Sequence, residues 1–245
     1  MSSIRTLAKR SATLTGLVRD LRRLSAWPHH IAARRRDRRR IAHYLAGRPV
    51  RKLQLGSGQS VDEGWLCTDK NIFRPELVQL DVTRRFPLDD GCIDYIYSEH
   101  MIEHITRPQA SYMLRESWRV LRPGGKIRTA TPDLRVLAAL TAEVPDPAGV
   151  AYMQWLSRLA PAQAPEPTAC YVLNVAFRHW GHRFLYDRET LTAALHAAGF
   201  EDVRSVDFGQ SEDEHLRGLE CHGEHAGDAA MVRFETMILE ATKPA

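Results

Sequence analysis

Cysteine is scarce in this chain. The four present, Cys67, Cys92, Cys170 and Cys221, stand far apart with no C-x-x-C pair. That argues against a disulfide frame or a thiolate zinc cluster and reads as free thiols in a reducing, cytoplasmic setting. Long apolar runs are missing as well. None approaches the ~20 residues that a membrane-spanning helix needs, and the first residues lack the continuous apolar stretch of a secretory signal. Acid is nearly absent from one region: residues 1–50 hold 13 of the 34 Lys and Arg but only 2 of the 30 Asp and Glu. The rest of the chain therefore carries 21 basic and 28 acidic residues. A body of that sign does not fit a general nucleic-acid binder. A third glycine is wanting too: after Gly56-Ser57-Gly58, position 61 is Val, so the G-x-G-x-x-G dinucleotide fingerprint is incomplete.

What is present divides the chain at about residue 50. Hydrophobic residues make up 44% and charged ones 26%, enough for one sizeable core with an appendage. Residues 1–49 read as a basic helical arm. Ile4, Leu7, Leu14, Leu17, Val18, Leu21 and Leu24 share one helical face, and a second helical stretch, 30–46, carries Arg34–Arg36 and Arg38–Arg40. Three readings of the arm stand: a solvated helical arm packed on its own body, a surface that docks on anionic membrane, another polyanion or a partner protein, and an organelle transit peptide.

Residues 50–245 read as one α/β domain. Short apolar runs at 52–55, 65–68, 77–80, 93–97 and 126–130 alternate with helical patterns such as "ITRPQASYMLRESWRVL", and two strands close the chain near 203–208 and 233–241. Strands alternating with helices predict a largely parallel sheet. The Ala- and Pro-rich stretch 134–185 is less regular, with "PDPAG" and "PAQAPEP" as loops. "DRETLTAALHAAGF" predicts a helix with Asp187 as N-cap and Gly199 just past its end.

Glycines at the end of a first strand let a ligand approach the backbone. A dinucleotide also needs a helix N-terminus behind the glycines for its pyrophosphate, and the few residues between Gly58 and Trp65 leave no room for one. S-adenosylmethionine has no phosphate. It asks for backbone approach, a carboxylate for the ribose and a polar contact to adenine. Asp69 and Asp81 end the second and third strands, with Val82 beside the latter, all at the edge where open α/β sheets bind ligands.

The segments "LQLGSG", "LCTDKN", "LDVTRRFPLDDGCIDYIYSEHMIEHI" and "ESWRVLRPGGKIRTATPD" together resemble the class I S-adenosylmethionine-dependent methyltransferases, over roughly residues 50–132 and again in the style of 183–242. They are similar in particular to small methyltransferases associated with bacterial surface-glycan synthesis. The resemblance implies a Rossmann-like three-layer sandwich whose seven-stranded sheet has one antiparallel strand. It also implies S-adenosylmethionine as cofactor, with contacts from Gly56, Ser57, Gly58, Asp69, Asp81 and Val82 and with Ser98 nearby. Two departures stand out. Gln54 occupies the place of the family's acidic residue, where an amide still hydrogen-bonds but offers no countercharge. The loop after Gly58 leaves the family's first helix vestigial or missing.

The candidate chemistry lies at "SEHMIEH", residues 98–104. On a helix His100, Glu103 and His104 would converge, as general base, as substrate-loop residues, or as a metal site of the kind some quinone-pathway O-methyltransferases carry. The stretch is also literally H-x-x-E-H, an inverted zinc-protease pattern. His100, His104 and His182 are the catalytic candidates, and no metal is expected. Tyr186 is a second-choice base in the aromatic, Arg- and His-bearing segment 174–187, where the resemblance implies substrate recognition. Asp133 reads as the N-cap of a helix starting at Leu134. The tail 211–228 gathers His215, Cys221, His222 and His225, a possible metal group or, on loop length, a solvated hairpin loop. The expected activity is methyl transfer to an oxygen of a small molecule or glycan. The rival expectations are a cofactor-binding module without turnover, a metallohydrolase at His100/Glu103/His104, and a dinucleotide oxidoreductase.

Overall fold

The computed structural model describes residues 35–144 and 146–245, with the backbone alone at 224 and 225. The apolar helical face expected over residues 3–26 lies outside the described residues. The chain separates into two units, 1–46 and 47–245. Of the first, residues 35–40 open a helix, α1, that runs to 47. It exposes Arg35, Arg36, Arg38 and Arg39 and buries Asp37 and Ile41. Arg36 pairs with Asp37 at 2.8 Å.

The second unit is built on seven strands: β1 Lys52–Leu55, β2 Trp65–Asp69, β3 Val78–Gln79, β4 Ile93–Glu99, β5 Leu121–Pro132, β6 Glu201–Val206 and β7 Thr236–Thr242. Their order in the sheet is β3-β2-β1-β4-β5-β7-β6. Pairings from β3 through β5 are parallel, and β7 runs antiparallel to both its neighbours. The expected seven-stranded Rossmann-like α/β sheet with one reversed strand is therefore present. β1 and β2 are almost wholly buried, which explains why they read as continuous apolar runs rather than alternating ones. The strand order reverses next to β1, since β2 lies on one side of it and β4 on the other. That is the switch point at which open α/β sheets take ligands.

The helices after α1 are α2 Arg107–Val120, α3 Leu134–Ala139, α4 Pro147–Leu159, α5 Ala169–Arg178, α6 Arg188–Ala197, α7 His222–Ala226 and α8 Ala229–Glu235. Asp133 accepts from Arg135 N at the start of α3, and Asp187 from Thr190 N at the start of α6. Both caps stand where the sequence places them. Gly199 follows α6 in the left-handed region, φ +98°.

Two expectations are corrected. The stretch 134–185 is largely helical: Pro147 of "PDPAG" opens α4 after the Asp146 cap. Proline suits that place because a first-turn N–H needs no helical partner. α3, α4 and α5 share a core of Leu137, Tyr152, Leu156, Val172 and Val175 with Val232 of α8. The tail is not a solvated hairpin loop, and the closing strand begins at Thr236, after α7 and α8. Arg128 of β5, fully buried, pairs with Glu220 at 2.6 Å and also with Glu240. Leu216 packs among Trp65, Leu77 and Tyr97. A buried charge persists only when paired and hydrogen-bonded, and these partners fasten the tail against the sheet.

Candidate active site

β1 ends in the expected turn. Gly56 and Gly58 both hold positive φ, +67° and +58°. A Cβ on Gly56 would lie 2.2 Å from Met101 Cγ, whereas one on Gly58 would meet nothing within 4 Å. The first glycine permits close packing behind the turn; the second leaves the turn's outer side open to a ligand. Ser57 N donates to Thr68 O at 2.9 Å, and Gly58 N donates to Asp69 Oδ2 at 3.1 Å. No helix forms over residues 56–64, so the pyrophosphate-binding helix N-terminus of a dinucleotide fold is absent from this turn.

The turn borders a cavity of about 490 Å³, with Gln54, Ser57, Phe73, Glu99, His100 and His222 also on its walls. Gln54 Oε1 and Ser57 Oγ are buried there without a hydrogen-bond partner. Buried polar atoms are nearly always partnered, so these two are acceptors free for a ligand. The residues thus fit the methionine end of S-adenosylmethionine, whose amino group needs acceptors. Asp69 stands one hydrogen bond behind the wall, holding Gly58 N and Asn71 N. Asp81 accepts from the Thr83 amide and hydroxyl. Burial works to raise its carboxyl, but those bonds and nearby Lys70 and Arg84 hold it below the usual range. Asp81, Val82 and Ser98 are not on the cavity wall. Ser98 is buried in the sheet, 3.5 Å from Thr129 Oγ1. Its neighbour Glu99 lines the cavity instead, because successive strand residues face opposite ways, and His100, past the end of the strand, lines it too.

A second chamber, about 350 Å³, adjoins the first. His100 and His222 border both. Its walls include Glu103, His104, Tyr152, Trp155, Trp180, His182 and Glu235, drawn from the turn after β4, the stretch 134–185 and α8.

The histidines do not converge as a helix would bring them. Residues 102–104 form one 3-10 turn, and His100 before it has φ +45°. His100 faces Glu103, Nδ1 to Oε1 3.2 Å, while His104 turns to His182, ring centroids 4.8 Å apart. Thr236 Oγ1 donates to Val232 O, so its contact with His100 Nε2 at 3.0 Å has the histidine as donor. Burial opposes charge on His100, but Glu103 outweighs it and raises the histidine's pKa. The same pair holds Glu103 low against its own burial. His100 thus has both ring nitrogens engaged in a buried setting, and it stacks on His222 at 4.3 Å. An H-x-x-E-H metallohydrolase needs both histidines on one helical face, a geometry these residues do not adopt.

His182 differs. Its Nδ1 lies 2.6 Å from Ala176 O. A carbonyl only accepts, so Nδ1 carries the hydrogen and Nε2 is bare. Burial lowers its pKa, which keeps the ring neutral at pH 7. Backbone bonds from Arg183 N and Phe184 N to Glu103 O fix this segment beside the turn.

Tyr186, by contrast, is buried away from the chamber, beside Phe184, and burial pushes its hydroxyl up to about 12. The tail residues also part company. His215 lies against Tyr95, whereas the amides of Cys221 and His222 donate to Glu99. Burial and Glu99 push the Cys221 thiol up to about 12. Glu235 was not foreseen. It accepts from Tyr152 Oη at 2.5 Å, and burial raises its pKa. Glu99, by contrast, was within reach of sequence reasoning, because it lies between Ser98 and His100.

A family model described as a methyltransferase domain matches residues 56–129, the span from the glycine turn through most of β5. The uncharacterized 37.1 kDa protein in transposon TN4556 of Streptomyces fradiae is 36% identical over 69 residues, 28% of this chain and 19% of that protein. The aligned region therefore spans about a fifth of that relative's length. Among solved structures, a complex between the Haloferax volcanii Trm112 methyltransferase activator and a methyltransferase aligns at 14% identity over 84% of this chain and 89% of that one, TM-score 0.47. A SAM-dependent methyltransferase from Archaeoglobus fulgidus aligns at 16% identity over 87% and 94%, TM-score 0.46. Likenesses of that size say nothing of acceptor or partner.

Proposed function

We propose, from the premise that this chain carries a class I methyltransferase domain whose cofactor is S-adenosylmethionine, that it moves the cofactor's methyl group to an oxygen of a small molecule or glycan. The observation that supports this most is the junction of two cavities at His100 and His222, one built on the glycine turn and one on a ring of aromatic, histidine and carboxyl groups. A transferable methyl and its acceptor need two adjoining seats whose alignment supplies most of the rate.

The cofactor brings a methyl already activated by a positive sulfur. The chain's part is to hold and orient. Gln54 Oε1 and Ser57 Oγ receive the amino-acid end, the Gly56–Gly58 turn gives backbone access, Asp69 braces that turn and takes the ribose, and exposed Phe73 offers an aromatic face. Asp81 and Val82 serve the adenine from behind this wall. In the second chamber, Trp155, Trp180 and Tyr152 shape the acceptor's seat. The bare Nε2 of His182 takes the proton from the acceptor hydroxyl. His100, held by Glu103 and Thr236, keeps the shared wall in place. The Arg-rich arm brings the enzyme to an anionic membrane or a partner.

Calorimetry with S-adenosylmethionine and S-adenosylhomocysteine tests the first seat. A panel of hydroxylated acceptors, scored by S-adenosylhomocysteine release, tests the second. Failure of both ligands to bind would sink the reading.

A further inference from the structure

Glu103, His104 and His182 each offer one donor atom, all within 4.8 Å of one another, and no other such trio occurs among the described residues. All three border the second chamber. Two of them are oriented from behind. His182 gives its Nδ1 hydrogen to Ala176 O at 2.6 Å, which leaves Nε2 as a lone pair. Glu103 receives the Thr131 hydroxyl on Oε2 at 3.0 Å. Metal-bound histidines and carboxylates are held in this way by outer groups that fix tautomer and direction. Glu103 is completely buried, and its Oε1 lies 3.2 Å from His100 Nδ1.

We propose that Glu103, His104 and His182 form a two-histidine, one-carboxylate site for a divalent transition metal of the zinc type. Imidazole nitrogens favour zinc, cobalt or nickel over magnesium and calcium, which prefer all-oxygen surroundings. Donors on one tetrahedral zinc ion, at about 2.0–2.2 Å each, stand about 3.3–3.6 Å apart. The donor atoms here spread up to 4.8 Å, so the trio must draw in on binding, and His104, exposed and at the end of its turn, is the ligand placed to swing in. His100 is outside the set because its Nε2 hydrogen is committed to Thr236 and its Nδ1 to Glu103.

Three protein ligands leave at least one position open, the pattern of reactive rather than structural zinc. That position opens on the chamber. Resting on the methyl-transfer reading, the occupant is an acceptor hydroxyl, which the ion acidifies so that its proton passes to water. The ion then holds the lone pair that otherwise takes the proton, so the two uses of His182 are alternatives.

The test uses untagged full-length protein, stripped with chelator and titrated with Zn²⁺ by calorimetry and with Co²⁺ by visible absorption. One equivalent is expected, with cobalt bands of a nitrogen- and oxygen-ligated site. His104→Ala, at an exposed position, and His182→Ala should each weaken zinc by more than the 10–100-fold lost when even an outer partner is removed. His215→Ala should leave it unchanged. No stoichiometric uptake, or uptake that survives both chamber variants, overturns the proposal. Zinc uptake by protein that binds neither S-adenosylmethionine nor S-adenosylhomocysteine supports the metal site while removing the methyl-transfer reading. The reverse result, cofactor bound and no zinc taken up, removes the site alone.

Discussion

Gln54 is a single residue on which much of the cofactor's hold depends. Its Oε1 is buried, faces the first cavity and has no partner among the described residues. An amide makes a hydrogen bond but adds no charge, so it should not distinguish the sulfonium from its neutral product. Gln54→Leu is therefore expected to weaken S-adenosylmethionine and S-adenosylhomocysteine alike, by roughly tenfold, the loss of one net hydrogen bond. Calorimetry on both ligands checks this; a loss confined to S-adenosylmethionine would show that Gln54 senses charge instead. The residue scale also separates what sequence could and could not tell of the histidines. Their presence near the methyl position was legible. Their division was not, because a left-handed His100 and a 3-10 turn replaced the expected helix. Backbone of that kind is set by tertiary packing rather than local propensity.

At the scale of elements, caps were the most readable feature. Asp133 ends β5 and opens α3 through Arg135 N. Asp133→Ala should cost about 1 kcal/mol, the usual worth of an N-cap, and lower the melting temperature without loosening the cofactor. A larger drop would mean that the Asp133 carboxylate does more than cap α3. The strands were legible because burial on both faces writes continuous apolar runs. The helices α4 and α5 were not, because Ala and Pro carry little periodicity and their apolar face is completed by Val232, far along the chain. The tail was misread for a similar reason. Its anchor is a partner on β5, invisible to any local window. Arg128→Ala leaves Glu220 and Glu240 without their cation in a buried place and should cost about 3–5 kcal/mol, measured by denaturant unfolding. A cost under about 1 kcal/mol would mean that the tail is not pinned there.

Two expectations belong to the whole molecule. Glu116 of α2 receives Arg119 at 2.7 Å and Phe86 N at 2.8 Å, and Arg119 in turn holds the carbonyls of Phe86 and Leu88. Arg119 lowers the Glu116 pKa, against a smaller effect of burial. A carboxylate depressed in the folded state stabilises above its ordinary value, near 4.5, and that contribution fades as pH falls through the folded value. The gap in melting temperature between the native chain and Glu116→Gln should thus be widest near neutral pH and close as pH falls below 4.5 through the depressed folded value. A gap that stays constant would contradict this. The second concerns α1, whose Arg35, Arg38 and Arg39 are exposed. If the arm meets anionic lipid, each arginine is worth about 1 kcal/mol near the surface. Changing all three to Gln should then weaken binding to phosphatidylserine vesicles by roughly 100-fold, and high salt should abolish it. Unchanged cosedimentation of the triple variant would rule out that route.

The sheet also orders events in time. β7 follows every other strand in sequence yet is flanked by β5 and β6, and its first residue, Thr236, receives His100. On an emerging polypeptide the glycine turn can bend early, but the wall between the two seats waits for a strand that must thread into an already waiting gap. Cofactor-dependent protection from proteolysis during synthesis should consequently appear in a single late step.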